Sequence, residues 1–179
     1  GADVKLVDID PATLNIDPRA IEAAVGPRTK AILPVHYAGL AADMPAILAI
    51  AQRHGLKVIE DAAHALPTRS RGALIGASLG LAQPDAPKRA RSFTCFSFYA
   101  TKNLTTAEGG AITTEDEALA RRLRLLGYHG MSRDSWSRYS DRGSWYYQVE
   151  VPGFKCNLSD MHAALGLTQL AKIDRLLMQ

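Results

Sequence analysis

A lysine follows an aromatic-rich run in Ser97-Phe98-Tyr99-Ala100-Thr101-Lys102-Asn103. Lysines are mostly exposed, so one placed just past a buried strand can serve as an amine nucleophile that forms a Schiff base with a carbonyl. The alternative is a surface lysine at the start of a loop. A second candidate closes another apolar run, Lys57-Val58-Ile59-Glu60-Asp61, with Ala62-Ala63-His64-Ala65 behind it. A carboxylate buried at a strand end needs a cation or strong hydrogen bonds. For Asp61 the partner is either a protonated ring nitrogen or a structural cap or ion pair. Ser97 places a hydroxyl five residues before Lys102, where it could bind an anion. Gly109-Gly110 lets the backbone approach a ligand or make a tight turn.

Other chemistries have weaker support. His36, His54, His64, His129 and His162 fall in separate segments. No His-Glu-x-x-His or Cys-x-x-Cys spacing supports a metal site. Cys95 lies inside an apolar strand pattern and reads as a small core residue. The glycine-rich dinucleotide and phosphate loops and the Gly-x-Ser-x-Gly nucleophile turn are missing from the sequence.

These residues need a scaffold. Helical and strand signals alternate, which predicts βαβ units and a parallel sheet. Asp17-Pro18 caps a helix over 18–25. Lys30 to Val35 reads as a buried strand. Asp43 caps a helix with Met44, Ile47, Leu48 and Ala51 at helical spacing, closed by Gly55. Leu56 to Ile59 is the next strand and delivers Glu60-Asp61 to the carboxyl edge of the sheet, where such folds bind ligands. Residues 66–91 read as a loop with five basic side chains against one acid. Further strands are expected over Ser92–Tyr99 and Ala111–Thr113. Thr114 and Glu117 form an expected capping box for a helix ending at Gly127. Residues 128–156 show no clear periodicity. Ser159 caps a last helix, with Met161, Leu165 and Leu170 as its expected buried stripe.

The 179 residues are 47% hydrophobic and 22% charged, a globular composition. A net charge of +3 is too mild to predict a nucleic-acid partner. No apolar run reaches membrane-span length, and no membrane association is expected. The two cysteines, Cys95 and Cys156, suit a reducing compartment such as the cytoplasm, with a single disulfide left open. The chain begins at Gly1, and Ala171 to Gln179 is still helical in pattern, so a piece of a longer protein is expected.

Five ordered motifs join these pieces: Pro34-Val35-His36-Tyr37-Ala38-Gly39, Glu60-Asp61-Ala62-Ala63-His64-Ala65, Ser97 to Asn103, Glu108-Gly109-Gly110, and Pro152-Gly153-Phe154-Lys155-Cys156-Asn157. Together they resemble the DegT/StrS family of nucleotide-sugar aminotransferases that use pyridoxal 5'-phosphate. They are most similar to the branch containing UDP-4-amino-4-deoxy-L-arabinose–oxoglutarate aminotransferase. The resemblance implies an α/β, fold type I large domain, aspartate-aminotransferase-like, incomplete at both ends. Residues 1–179 would be its central part, without the N-terminal segment and the small C-terminal domain. It also implies roles. Lys102 would hold the cofactor covalently and shuttle the proton. Asp61 would pair with the ring nitrogen. His64 would lie near the ring, Ser97 would bind the phosphate, and Asn157 would reach the phosphate in a neighbouring subunit of a homodimer. Glutamate would donate the amino group to a nucleotide-linked keto sugar. His36 and Tyr37 could line the site but are not among the assigned residues, and His129 reads as a structural histidine, with substrate contact as the alternative.

Cys156 stands where relatives of this branch commonly have Tyr. A truncated inactive fragment and a non-catalytic cofactor-binding relative are the competing readings. Dehydratases of this fold replace the lysine with histidine, so Lys102 argues against that activity. The sugar pathway is open among lipopolysaccharide, O-antigen and antibiotic-sugar synthesis.

Overall fold

Asp17 accepts a hydrogen bond from the backbone N–H of Arg19 and starts helix α1 (Pro18–Ala24) in a computed structural model. The structure describes residues 1–77, 92–131 and 148–177. Strand β1 (Ala31–Ile32) follows, then helix α2 (Met44–His54), strand β2 (Lys57–Asp61) and a small hairpin of β3 (Arg69–Ser70) and β4 (Ala73–Leu74). Strands β5 (Ser92–Ser97) and β6 (Gly110–Thr113) come next. Helices α3 (Glu117–Gly127), α4 (Asp160–Leu170) and α5 (Ile173–Leu177) complete the described elements.

The sheet order is β1-β2-β5-β6. The first three strands run parallel and β6 is antiparallel to β5, so the sheet is mostly parallel. The molecule divides into two units. One comprises Gly1–Glu115 with Met161–Gln179 and contains the sheet; the other is Asp116–Asp160.

Helix α2 explains the core of the first unit. Asp43 accepts from Ala46 N–H at its start, and Gly55 adopts the left-handed conformation at its end, as the residue types dictate. Between these caps, Met44, Ile47, Leu48, Ile50 and Ala51 are buried against Ile21, Ile32, Leu56 and Val58. Each large side chain removed from water contributes about 1.5–3 kcal/mol before chain entropy is subtracted. A second cluster of Ala62, Ala65, Ile75 and Phe96 lies beyond the end of β2.

Several expected boundaries move. The strand expected over Lys30–Val35 keeps two ladder residues, because Pro34 has no N–H to offer; Val35 makes only an isolated bridge to Asp61. Strand β2 extends through Glu60 and Asp61, so both acids belong to the sheet. Strand β5 stops at Ser97, whose hydroxyl accepts from Tyr99 N–H and bends the chain. Thr114 does not cap α3. Its hydroxyl donates to Ser92 O at 2.9 Å, and Asp116 caps the helix by accepting from Leu119 N–H. The stripe expected to be buried on α4 is exposed at Met161, Leu165 and Leu170. Apolar helical spacing yields burial only where another layer covers that face, and none of the described elements does so. The loop reading of 66–91 misses the β3–β4 hairpin, and Lys88, Arg89 and Arg91 lie outside the described residues.

The turn after β1 depends on one side chain. Asn15, 3% exposed, accepts from Tyr37 N–H at 3.0 Å and donates to Leu40 O at 3.2 Å. It therefore supplies the partners of the Tyr37 N–H and the Leu40 carbonyl at the two ends of this turn. Asn15→Ala leaves these groups unsatisfied and is expected to destabilise the protein by about 1–3 kcal/mol. Chemical denaturation would register this as a lower midpoint with an unchanged slope.

Candidate active site

The carboxyl ends of β2 and β5 deliver the candidate residues. The two strands are in register with Asp61 opposite Cys95, two residues before Ser97. Asp61 is half-buried, and its Oδ1 accepts from Ala63 N–H at 3.0 Å. Its carboxylate makes no other hydrogen bond among the described residues. This turn directs the chain away from the sheet towards His64, which is exposed.

The chain after β5 is stapled to itself. Phe98 N–H donates to Gly109 O, Thr106 N–H donates to Phe98 O, and Thr105 Oγ1 donates to the same carbonyl. Within this loop Lys102 N–H donates to Tyr99 O at 3.0 Å. Lys102 is half-buried, and its Nζ makes no hydrogen bond or ion pair among the described residues. Asn103 Nδ2 donates to Leu66 O at 3.1 Å and links this loop to the one after β2.

An open pocket of ≈ 210 Å³ lies there, lined by Ala38, His64, Thr101, Lys102 and Asn103. The fold thus brings Lys102 and His64 together. Asp61 and Ser97 stand at the adjacent strand ends and do not line this pocket. Asn157 belongs to the other unit, where it is exposed and its Oδ1 accepts from Lys155 Nζ at 3.1 Å. The wall at Ala38 is a left-handed residue, φ 50°, followed by Gly39 at φ 86°. A Cβ on Gly39 would lie 3.0 Å from His64 O, so glycine permits this close approach. Gly110 is explained by packing: a Cβ there would lie 2.6 Å from Phe96 O.

Both cysteines are free, so the disulfide left open by the sequence does not form. Burial pushes the Cys95 thiol above its ordinary range, and the charges of Asp61 and Glu60 push it further. Such a thiol is a poor nucleophile.

Sequence reasoning missed the contributions of Glu60, Thr94 and His36, all fully buried. Two-residue periodicity places Glu60 on the same inward side of β2 as Val58, a signal present in the sequence. Ala38, Thr101 and Asn103 carry no comparable signal, because loop closure alone brings them together.

The sequence model of the DegT/DnrJ/EryC1/StrS aminotransferase family matches residues 1–179. The chain belongs to this family. As a DegT/StrS-family chain it shares 57% identity over 174 residues with the spore coat polysaccharide biosynthesis protein SpsC of Bacillus subtilis, covering 97% of itself and 42% of SpsC. The fold is that of the PMP form of Spr1654 from Streptococcus pneumoniae, with a TM-score of 0.83 and 31% identity over 99% of this chain and 47% of that one. It also matches PseC of Helicobacter pylori, an aminotransferase of pseudoaminic acid biosynthesis, with a TM-score of 0.80 and 30% identity. That match covers 96% of this chain and 40% of PseC. The chain spans less than half the length of these relatives. The expected fold type I architecture is confirmed, and the family's cofactor is pyridoxal phosphate. Among the described residues no helix is long and apolar enough to cross a membrane.

Proposed function

We propose that the protein carrying this sequence transfers an amino group from glutamate to a nucleotide-linked keto sugar with pyridoxal phosphate as cofactor. The observation that supports this reading most is Lys102, unpaired among the described residues, lining one pocket with His64 in a DegT/StrS-family chain. The donor set suits the cofactor. An amine matches its aldehyde, a hydroxyl on Ser97 matches its phosphate, and a carboxylate on Asp61 with one oxygen uncommitted among the described residues matches its ring nitrogen.

Pyridoxal phosphate, when bound, supplies an electrophilic carbon and an electron-withdrawing ring. Lys102 would hold it covalently, and its free amine would take and return the proton at the substrate carbon. Asp61 would keep the ring nitrogen protonated, His64 would serve the ring, and Ser97 would donate to the phosphate. Asn157 would serve the phosphate site of a partner subunit in a homodimer. Residues 1–179 are then the central part of the cofactor-binding large domain of a cytoplasmic enzyme. The motif run is most similar to the branch containing UDP-4-amino-4-deoxy-L-arabinose–oxoglutarate aminotransferase.

Titrating pyridoxal phosphate into the protein tests this reading. Saturable binding with a new visible absorbance band is expected, and glutamate should then bleach that band as 2-oxoglutarate forms. Failure to bind would refute the proposal. Binding without glutamate turnover would point instead to a non-catalytic relative.

A further inference from the structure

Directly behind Asp61 lies a buried polar chain that the proposed chemistry leaves unused. His36 Nε2 and Glu60 Oε2 are 3.2 Å apart, and Thr94 Oγ1 donates to Glu60 Oε1 at 3.0 Å. All three side chains are fully buried, where polar groups persist only when bonded. The backbone N–H of Ala42 donates to His36 Nδ1 at 3.1 Å. Nδ1 is therefore an acceptor, and the ring proton is assigned to Nε2, which donates to Glu60.

The main chain makes this arrangement more than a core pair. His36 N–H donates to Asp61 O at 3.0 Å, and Asp61 N–H donates to Pro34 O at 2.9 Å. These two bonds attach the segment after β1 to β2 at the very residue assigned to the cofactor's ring nitrogen. The same imidazole then bonds both to the next residue inward, Glu60, and to Ala42 at the far end of the turn that carries Ala38. Thr94 joins β5 to the chain, three residues before Ser97.

We propose that His36 is a positioning residue for Asp61. Its Nε2–H, held by Glu60, fixes the register between residues 34–36 and the end of β2, and so the direction of the Asp61 carboxylate. This proposal rests on the cofactor reading above. It separates the two ends of the imidazole. An asparagine at 36 keeps an acceptor where Nδ1 stood but cannot reach Glu60. A glutamine places an amide N–H near Nε2 but leaves Ala42 without its acceptor.

The experiment compares His36→Asn, His36→Gln and Thr94→Val in the protein carrying this sequence. The measurements are the pyridoxal phosphate Kd by fluorescence titration, kcat and KM for glutamate, and the thermal midpoint. His36→Asn is expected to weaken cofactor binding and lower kcat by roughly 10- to 100-fold, the scale of small misplacements of catalytic groups, with KM for glutamate little changed. His36→Gln should restore both values towards wild type although it also loses a hydrogen bond. Thr94→Val keeps its shape and should show a smaller loss of the same kind; it carries the test if His36→Asn does not fold. Equal behaviour of the Asn and Gln variants, or losses that follow only the thermal midpoint, would overturn the proposal. A wild-type protein that binds no pyridoxal phosphate would instead refute the underlying cofactor reading, and is recognised by the absence of binding before any substitution.

Discussion

Lys102→Ala is expected to abolish the visible absorbance band of the cofactor-loaded protein and to lower amino transfer by at least the roughly 10²- to 10⁴-fold attributed to a positioned acid–base group. The loss should exceed that range, because the same amine also holds the cofactor. Folding should be nearly untouched. The hydrogen bond from residue 102 to Tyr99 O uses the backbone, and the Lys102 Nζ has no partner among the described residues. A substitution of this kind normally changes stability by within about 0.5 kcal/mol. The thermal midpoint of the cofactor-free variant therefore serves as the control. A band that persists at an unchanged position would remove Lys102 from its proposed role.

The contrast between Lys102 and Glu60 shows what the sequence could carry. Lys102 was legible because an amine just past an aromatic-rich strand is an uncommon juxtaposition, and because four further motifs stand in order with it. The parallel sheet was legible for a similar reason: the capped, periodic α2 sits between two short apolar runs, and only a crossover connects them in parallel. Glu60 was visible only as an acid at a strand end, since its partners His36 and Thr94 among others lie as far as 24 and 34 residues away in sequence. Pairing across such distances is set by sheet register, which local patterns specify weakly. The exposed stripe on α4 follows the same logic in reverse. Periodicity reports which face could be buried, whereas burial depends on a covering layer. Thr114 illustrates competition at short range, where a hydroxyl offered for a helix cap was taken by the neighbouring strand's carbonyl.

Asp61→Asn separates the charge of this residue from its structural bonds. An asparagine Oδ1 still accepts from Ala63 N–H, and the backbone bonds to Pro34 and His36 are unaffected. The fold and the lysine attachment should therefore survive, with cofactor still bound. What disappears is the negative charge that keeps the ring nitrogen protonated. Removing one such preorganised electrostatic contact costs about 10²- to 10³-fold in kcat, and this is the loss expected here. Cys95 supplies a readout independent of turnover. Its thiol is raised first by burial and then by the charges of Asp61 and Glu60. Neutralising Asp61 lowers the thiol's pKa, so the rise of alkylation rate with pH should move to lower pH. The exposed Cys156 also reacts and is replaced by serine in both proteins compared. An alkylation profile that shifts while kcat stays constant would show the charge to be real but unused in catalysis. A loss of kcat with that shift and an unchanged thermal midpoint ties the charge of Asp61 to the reaction, because every hydrogen bond that supports the fold at this position is retained.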